Sequence, residues 1–302
     1  MTTTVADSVQ TAVACPACDR TAPTRKLFQK SGIWIEECAA CQHRFAQPSD
    51  ALQHVAEVYG DDYFHGGGAG YSNYLSESRL LEAHGRRYGK LLKRFSSPGR
   101  LLDVGAAAGF ILKGLRAEGW DGVGVEPNAA MARHAREQLG IKVTAAPFEQ
   151  FESAEPFDVI SVIQVMAHFI EPRVAVEHLF DLLKPGGIVV VETWNVRSWS
   201  ARMFGAGWHE YSPPSVLQWW SPQTLGELFS KCGFAEVATG RPQKWIEMGH
   251  AKSLIRHKAA EGSWVAKMIS AGLAIVPDRL QVPYPSEDLF WAVYRKTSSG
   301  GR

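Results

Sequence analysis

From Arg100 onward, short apolar runs alternate with amphipathic ones at a spacing that leaves few folds open. "RLLDVGAA" reads as a strand, "GFILKGLRAEG" as a helix closing on Gly119, "DGVGVEPN" as a strand and "AAMARHAREQLG" as a helix closing on Gly140. "KVTAA" and the apolar "FDVISVIQVM" supply two more strands, the second buried on both faces. "VAVEHLFDLLKPGG" is a helix stopped at Pro185-Gly186-Gly187, and "IVVVETWN" is the fifth strand. "SPQTLGELFSKCGF" gives a helix with Ser221 as N-cap and Pro222 in its first turn. "AEVATG" and "DLFWAVYRK" end the series. Strand and helix in strict alternation predict an α/β fold, a doubly wound, mostly parallel seven-stranded sheet with right-handed crossovers.

Ahead of that domain stand Cys15, Cys18, Cys38 and Cys41, a C-x2-C pair on either side of nineteen residues. Two such knuckles close a tetrahedral four-thiolate site with no open position, so the spacing predicts structural zinc in a ribbon over residues 12–48. Two disulfides are the alternative, and fit poorly with a reducing compartment. "KLFQKSGIWIEEC" reads as a hairpin between the knuckles. Residues 1–11 read as a disordered tail and 49–97 as a mostly helical linker or cap, interrupted by the glycine-rich "YFHGGGAGYSNYLSE". Two insertions break the alternation, at 195–220 and at 241–284, the second with a helical stretch around "GSWVAKMISAGLAIV". Cys232 reads as a buried core thiol.

Bulk properties narrow the partners. Formal charge is +1, from 32 basic and 31 acidic side chains, and residues 1–48 carry five basic against four acidic. Neither value leaves an electrostatic footprint for nucleic acid or an anionic membrane. No apolar run approaches the roughly 20 residues of a membrane span, and the first residues lack a signal-peptide pattern. The expectation is a cytoplasmic protein, with its oligomeric state left open.

In open parallel sheets, ligands bind where strand order reverses, at the carboxyl ends. Gly105-Ala106-Ala107-Ala108-Gly109 follows the first strand, and Glu126 ends the second, 21 residues after Gly105. An acid at that distance suits a ribose hydroxyl pair. A dinucleotide loop needs glycine at several positions to bring backbone N–H groups against a pyrophosphate. Here Ala107 stands at the middle glycine, and no Gly-Lys-Ser/Thr follows. A nucleoside ligand without phosphates tolerates such methyl groups, and S-adenosylmethionine is one.

"LLDVGAAAGFIL", "GVGVEPN", "FDVISVIQVMAHF" and "LLKPGGIVVVETWN", taken in order, resemble the successive motifs of class I S-adenosylmethionine-dependent methyltransferases, over about residues 98–240. A four-cysteine ribbon ahead of such a domain is similar to bacterial enzymes acting on sugars, polysaccharide precursors or secondary metabolites. The resemblance implies that Asp103, Gly105, Ala107 and Gly109 line the methionine and ribose part of the cofactor. It implies Glu126 for the ribose hydroxyls with Pro127 and Asn128 beside it, Ala146, Pro147 and Phe148 around adenine, and Gln164 at the methionine end. His168 falls where many relatives carry a histidine.

Three positions depart from the pattern: Ala107 for a glycine, Ala167 for a glutamate before His168, and Leu217 for a histidine in "PPSVLQWWS". For a hydroxyl or carbon acid, a base must take the acceptor's proton, and histidine suits neutral pH. His168 carries two readings, that base or a histidine that only hydrogen-bonds backbone or cofactor. His209 and Glu210 form a second pair, as catalysts or as a solvated loop. Tyr63, Tyr71 and Tyr74, with Trp199, Trp208, Trp219 and Trp220, are expected to wall the acceptor pocket. Five of the ten tryptophans fall within 194–220, which favours a packed lid. The function expected is methylation of a small-molecule acceptor; an RNA methyltransferase and a non-catalytic, cofactor-binding interaction protein are the alternatives.

Overall fold

The computed structural model describes residues 12–47, 74–243 and 286–297, with 245–249, 252, 272, 277 and 280–283. Tyr63, Tyr71, the 1–11 tail and most of the 262–276 stretch lie outside the described residues. Backbone contacts divide the chain into one unit of Met1–Gly240 with Glu287–Arg302 and another of Arg241–Ser286.

The N-terminal sheet comprises β1 (Ala12–Ala14), β2 (Thr21–Lys30), β3 (Ile33–Cys38) and β4 (Arg44–Phe45). β2 and β3 form the expected hairpin, turning at Ser31 and Gly32, both in the left-handed region. After a 3-10 turn at Tyr74–Glu77 comes α1 (Ser78–Leu92), the helical part of the linker.

The alternating elements then run β5 (Arg100–Val104), α2 (Phe110–Ala117), β6 (Asp121–Glu126), α3 (Ala129–Leu139), β7 (Val143–Ala145), β8 (Phe157–Ile163), α4 (Pro172–Leu182) and β9 (Leu183–Trp194). A short helix α5 (Trp199–Phe204), β10 (Gln218–Trp219), α6 (Pro222–Lys231), β11 (Phe234–Gly240) and β14 (Leu289–Lys296) complete this unit. In the other, β12 (Trp245–Glu247) and β13 (Gln281–Pro283) pair antiparallel.

The main sheet has seven strands in the order β11-β14-β9-β8-β5-β6-β7, parallel throughout its centre. Only β14 runs against its neighbours. Its strands are near-continuous apolar runs because helices cover both faces: Val104, Val162 and Val191 belong to one buried cluster, Leu101, Val159 and Val190 to another.

Local chemistry sets the helix ends. Asn128 caps α3 through Met131 N–H, and Gly140 closes it in the left-handed region. Ser221 and Thr224 form a reciprocal capping box on α6. Helix α4 stops at Leu182, three residues before Pro185, because the residue preceding a proline is pushed toward extended geometry. Cys232 is half-buried against the core, and burial pushes its thiol up to about 11. Among the described residues no helix is long and apolar enough to cross a membrane.

The 195–220 insertion is not a free-standing lid. β10 pairs antiparallel with β4, so the N-terminal sheet gains a fifth strand from a segment far along the chain. Ile35 and Ala46 join Trp208, Tyr211, Leu217 and Trp219 in one buried cluster. The N-terminal segment thus shares a core with the insertion.

Candidate functional site

Going from β5 through β6 to β7 the chain moves across the sheet one way, and β8 and β9 then fill the other side. The reversal lies between β5 and β8, and two loops leave their carboxyl ends there. They are pressed together: a Cβ on Gly105 would stand 2.5 Å from Val165 Cγ2. With φ of +68°, Gly105 needs the freedom of glycine on both counts. Gly109, at φ +83°, precedes α2 in the same left-handed region. Ala107 does too, at φ +46°, although its Cβ makes that conformation costlier by roughly 1 kcal/mol.

Glu126 holds this turn. Its side chain is 4% exposed; Oε2 accepts from Ala107 N–H at 2.9 Å and Oε1 from Asn128 N–H at 2.8 Å. Burial pushes its pKa up to about 7 against those two bonds. Asp103, also buried, accepts from Ser161 Oγ at 2.6 Å. Burial raises its pKa to about 7, the Ser161 bond opposes that, and the Glu126 charge adds to it. Among the described residues no basic side chain pairs with either carboxylate. The edge therefore holds two crowded acids with acceptor capacity in reserve, suited to hydroxyl donors and positive charge.

Around this edge, Tyr74 stacks on Phe110 with centroids 6.0 Å apart, in a buried cluster with Ala107 and Met131. Pro127 is exposed, while Ala146 donates its N–H to the Glu126 carbonyl at 3.1 Å. Phe148 is buried between Phe169, at 5.9 Å, and His178, at 4.8 Å. Gln164, left-handed at φ +61°, donates Nε2 to Glu192 Oε1 at 2.7 Å. Glu192 has two other partners, His84 and Tyr88, and no motif marks the three. The one signal was an acid inside the apolar run "IVVVETWN".

The loop after β8 is stitched to the segment at 215–220. Leu217 and Gln218 N–H both donate to the Ala167 carbonyl, at 2.9 and 3.0 Å, and Trp220 Nε1 donates to Met166 at 3.0 Å. His168 Nδ1 donates to the Ser215 carbonyl at 2.6 Å, so in the neutral ring Nε2 is the basic nitrogen. Two of the positions that depart from the pattern, Ala167 and Leu217, are thus bonded neighbours in one apolar cluster.

His209 Nε2 and Glu210 Oε1 lie 3.5 Å apart, with the His209 ring edge-on to Trp194 at 4.7 Å. Trp208 and Trp219 are buried, their indole N–H groups donating to Asp288 and to the Glu210 carbonyl. Trp199 is 66% exposed.

The sulfur atoms of Cys15, Cys18, Cys38 and Cys41 all lie within 4.8 Å of one another, and none forms a disulfide. Cys15 and Cys41 are 3.6 Å apart, Cys18 and Cys38 3.9 Å. A tetrahedron with metal–sulfur arms of about 2.3 Å has edges of about 3.8 Å, so the donor set and its spacing fit a zinc ion. Lys231 donates to the Cys18 carbonyl from α6, tying the knuckle to the main domain.

A seven-stranded sheet with one reversed strand near its edge and an acid-anchored turn at its switch point defines the Rossmann-like methyltransferase fold. Residues 78–239, over half the chain, match the family model for a methyltransferase domain, and the protein belongs to that family, the class I S-adenosylmethionine-dependent methyltransferases. It is similar to the ubiquinone biosynthesis O-methyltransferase of Bradyrhizobium diazoefficiens, 29% identical over 154 residues, 49% of this chain and 59% of the relative. The protein of that name from Cereibacter sphaeroides is 30% identical over 150 residues, 46% of this chain and 61% of its own. The chain thus spans about six-tenths of these relatives' length. In fold it is similar to the 1,6-didemethyltoxoflavin-N1-methyltransferase of Burkholderia thailandensis, solved with bound 1,6-didemethyltoxoflavin and S-adenosylhomocysteine. That likeness has a TM-score of 0.53 at 15% identity and covers 90% of this chain and 99% of that one.

Proposed function

We propose that this protein methylates a hydroxyl group of a small-molecule acceptor, a sugar, polysaccharide precursor or secondary metabolite, with S-adenosylmethionine bound at the switch point. The observation that carries the reading is the pair of buried carboxylates, Asp103 and Glu126, beside a loop without a phosphate-binding glycine series. Each Glu126 oxygen takes one backbone N–H and keeps a lone pair for a ribose hydroxyl. Bound there, S-adenosylmethionine supplies a methyl group activated by its sulfonium. The protein's task is alignment and proton removal. His168, its ring held by Ser215, is the general base through Nε2. The names of the O-methyltransferase relatives support an oxygen acceptor. Cys15, Cys18, Cys38 and Cys41 hold a structural zinc, closed to substrate.

Calorimetric titration with S-adenosylhomocysteine, followed by radiolabelled methyl transfer to a panel of hydroxylated small molecules, tests this. Micromolar binding with label entering one acceptor class is expected. Binding with no transfer to any pool would favour a non-catalytic role, and tight, salt-sensitive RNA binding an RNA substrate.

A further inference from the structure

His43, the residue before β4, is completely buried. Its ring lies against Trp220 at 4.3 Å and Phe45 at 6.1 Å, and its Nε2 stands 2.9 Å from Gln218 Oε1. Gln218 is buried as well, and its Nε2 reaches the Phe169 carbonyl at 3.2 Å. A carbonyl only accepts, so the amide must turn its NH2 group to Phe169 and its oxygen to His43. His43 Nε2 therefore carries the proton and donates it. Nδ1 has no partner among the described residues, and a second proton there would be a buried, unsatisfied donor, so the ring is neutral. The Gln218 side chain thus joins the N-terminal sheet on one side to the loop after β8 on the other.

That loop carries His168, and the carbonyls flanking the histidine are held from one segment. Met166 accepts from Trp220 Nε1, Ala167 from the Leu217 and Gln218 N–H groups, and Phe169 from the Gln218 amide. Ser215, in the same segment, holds the ring. The segment is itself held by the N-terminal sheet: Gln218 and Trp219 pair with Phe45 and Arg44, and Ala46 donates its N–H to the Leu217 carbonyl at 2.8 Å. A ladder of two residues fixes its register poorly on its own, and the buried bond from His43 to Gln218 pins it.

Proton removal tolerates little displacement, since a group about 1 Å out of place can lose on the order of 100-fold in rate. We infer that Gln218 is a positioning residue which, gripped by His43, aims the His168 ring, so that the sheet of β1 to β4 takes part in removing the acceptor's proton. This rests on the reading of His168 as general base, with the proton passing from the acceptor hydroxyl to Nε2. His43 and Gln218 act through the loop, and neither is asked to touch the acceptor.

The test uses the full chain with isotope-labelled histidine, as wild type, Gln218→Met and His43→Phe, the last keeping a ring against Trp220. Long-range nitrogen–proton spectra with S-adenosylhomocysteine bound read the histidine tautomers. Wild type is expected to show His168 as the Nδ1–H form and His43 as the Nε2–H form. Both variants lose the fixed Nδ1–H form of His168. In both, transfer of labelled methyl to the panel of hydroxylated small molecules falls about tenfold or more, while S-adenosylhomocysteine affinity stays within about threefold of wild type. In a His168→Ala background, Gln218→Met changes the residual rate by less than about twofold, because the ring it acts through is gone.

His168 keeping its tautomer in both variants overturns the inference. So does an equal loss of rate and of S-adenosylhomocysteine affinity, the mark of a merely structural role, or a full loss of rate repeated in the His168→Ala background. Should Gln218→Met not fold, His43→Phe alone decides it. Equal rates for wild type and His168→Ala overturn the base reading instead, and label reaching no member of the panel overturns the proposed function. In either case the spectra still judge whether Gln218 holds the ring.

Discussion

Ala107 donates its backbone N–H to Glu126 Oε2 at 2.9 Å while its own backbone sits at φ +46°. The turn that carries an alanine where a glycine is usual has kept the glycine conformation, and a buried carboxylate from the next strand holds it there. The methyl group packs with Tyr74, Phe110 and Met131, which offsets part of the strain.

Ala107→Gly should therefore change stability by less than about 1 kcal/mol, since relief of strain is set against lost packing and a more flexible unfolded chain. Ala107→Val places a β-branched side chain in the left-handed region and should cost about 2 kcal/mol or more. Urea denaturation of the two variants checks the contrast. Equal effects would mean that the turn does not depend on this conformation.

The carboxylates give the ligand-free protein a pH signature. Asp103 and Glu126 both titrate near 7 in the folded chain, above the ordinary carboxylate range, so the folded state binds protons more readily than the unfolded one. Their effect is least destabilising below about pH 4, grows as pH rises toward 7 and is constant beyond. Asp103→Asn keeps an acceptor for Ser161 and removes one charge. Its urea midpoint should fall less between pH 5 and pH 8 than that of wild type; an equal fall would mean that Asp103 is not raised.

If His168 is the base, His168→Ala should lower the rate of methyl transfer about 100-fold or more and leave S-adenosylhomocysteine affinity within twofold. Single-turnover kinetics with calorimetry separates the two quantities. An unchanged rate would return the ring to a purely structural bond with Ser215.

The four cysteines should yield one zinc per chain on metal analysis of protein purified under reducing conditions. Removing the metal with a chelator should speed hydrogen exchange at the Cys38 and Ala46 amides, which donate to the His43 and Leu217 carbonyls, and spare that of Ala107. A metal-free preparation with these amides fully protected would remove zinc from the account.

The sheet and the turn at its switch point are largely legible in the sequence because their signals are local. Apolar runs marked the strands, Gly109 and Gly140 the helix borders, and Glu126 stood at the end of a strand at a telling distance from Gly105. What stayed hidden depends on partners remote in the chain. Glu192 draws its meaning from Tyr88, 104 residues away, and nothing near "VVVETW" announces that pairing. The two-residue strand β10 has no periodicity to read, and only its pairing with β4 defines it. The tryptophans of the insertion carry volume and no address. Trp208 and Trp219 entered the core, and Trp199 stayed at the surface.

The fifth strand of the N-terminal sheet has a consequence for the order of synthesis. His43 bonds to Gln218, 175 residues later, and β4 pairs with β10 beside it. The sheet of β1 to β4 is therefore finished only once β10 has left the ribosome. Its cysteines are translated early, but the side that buries Ile35 and Ala46 waits for Trp219 to emerge. Until then Ile35 and Ala46 lack the side chains that cover them.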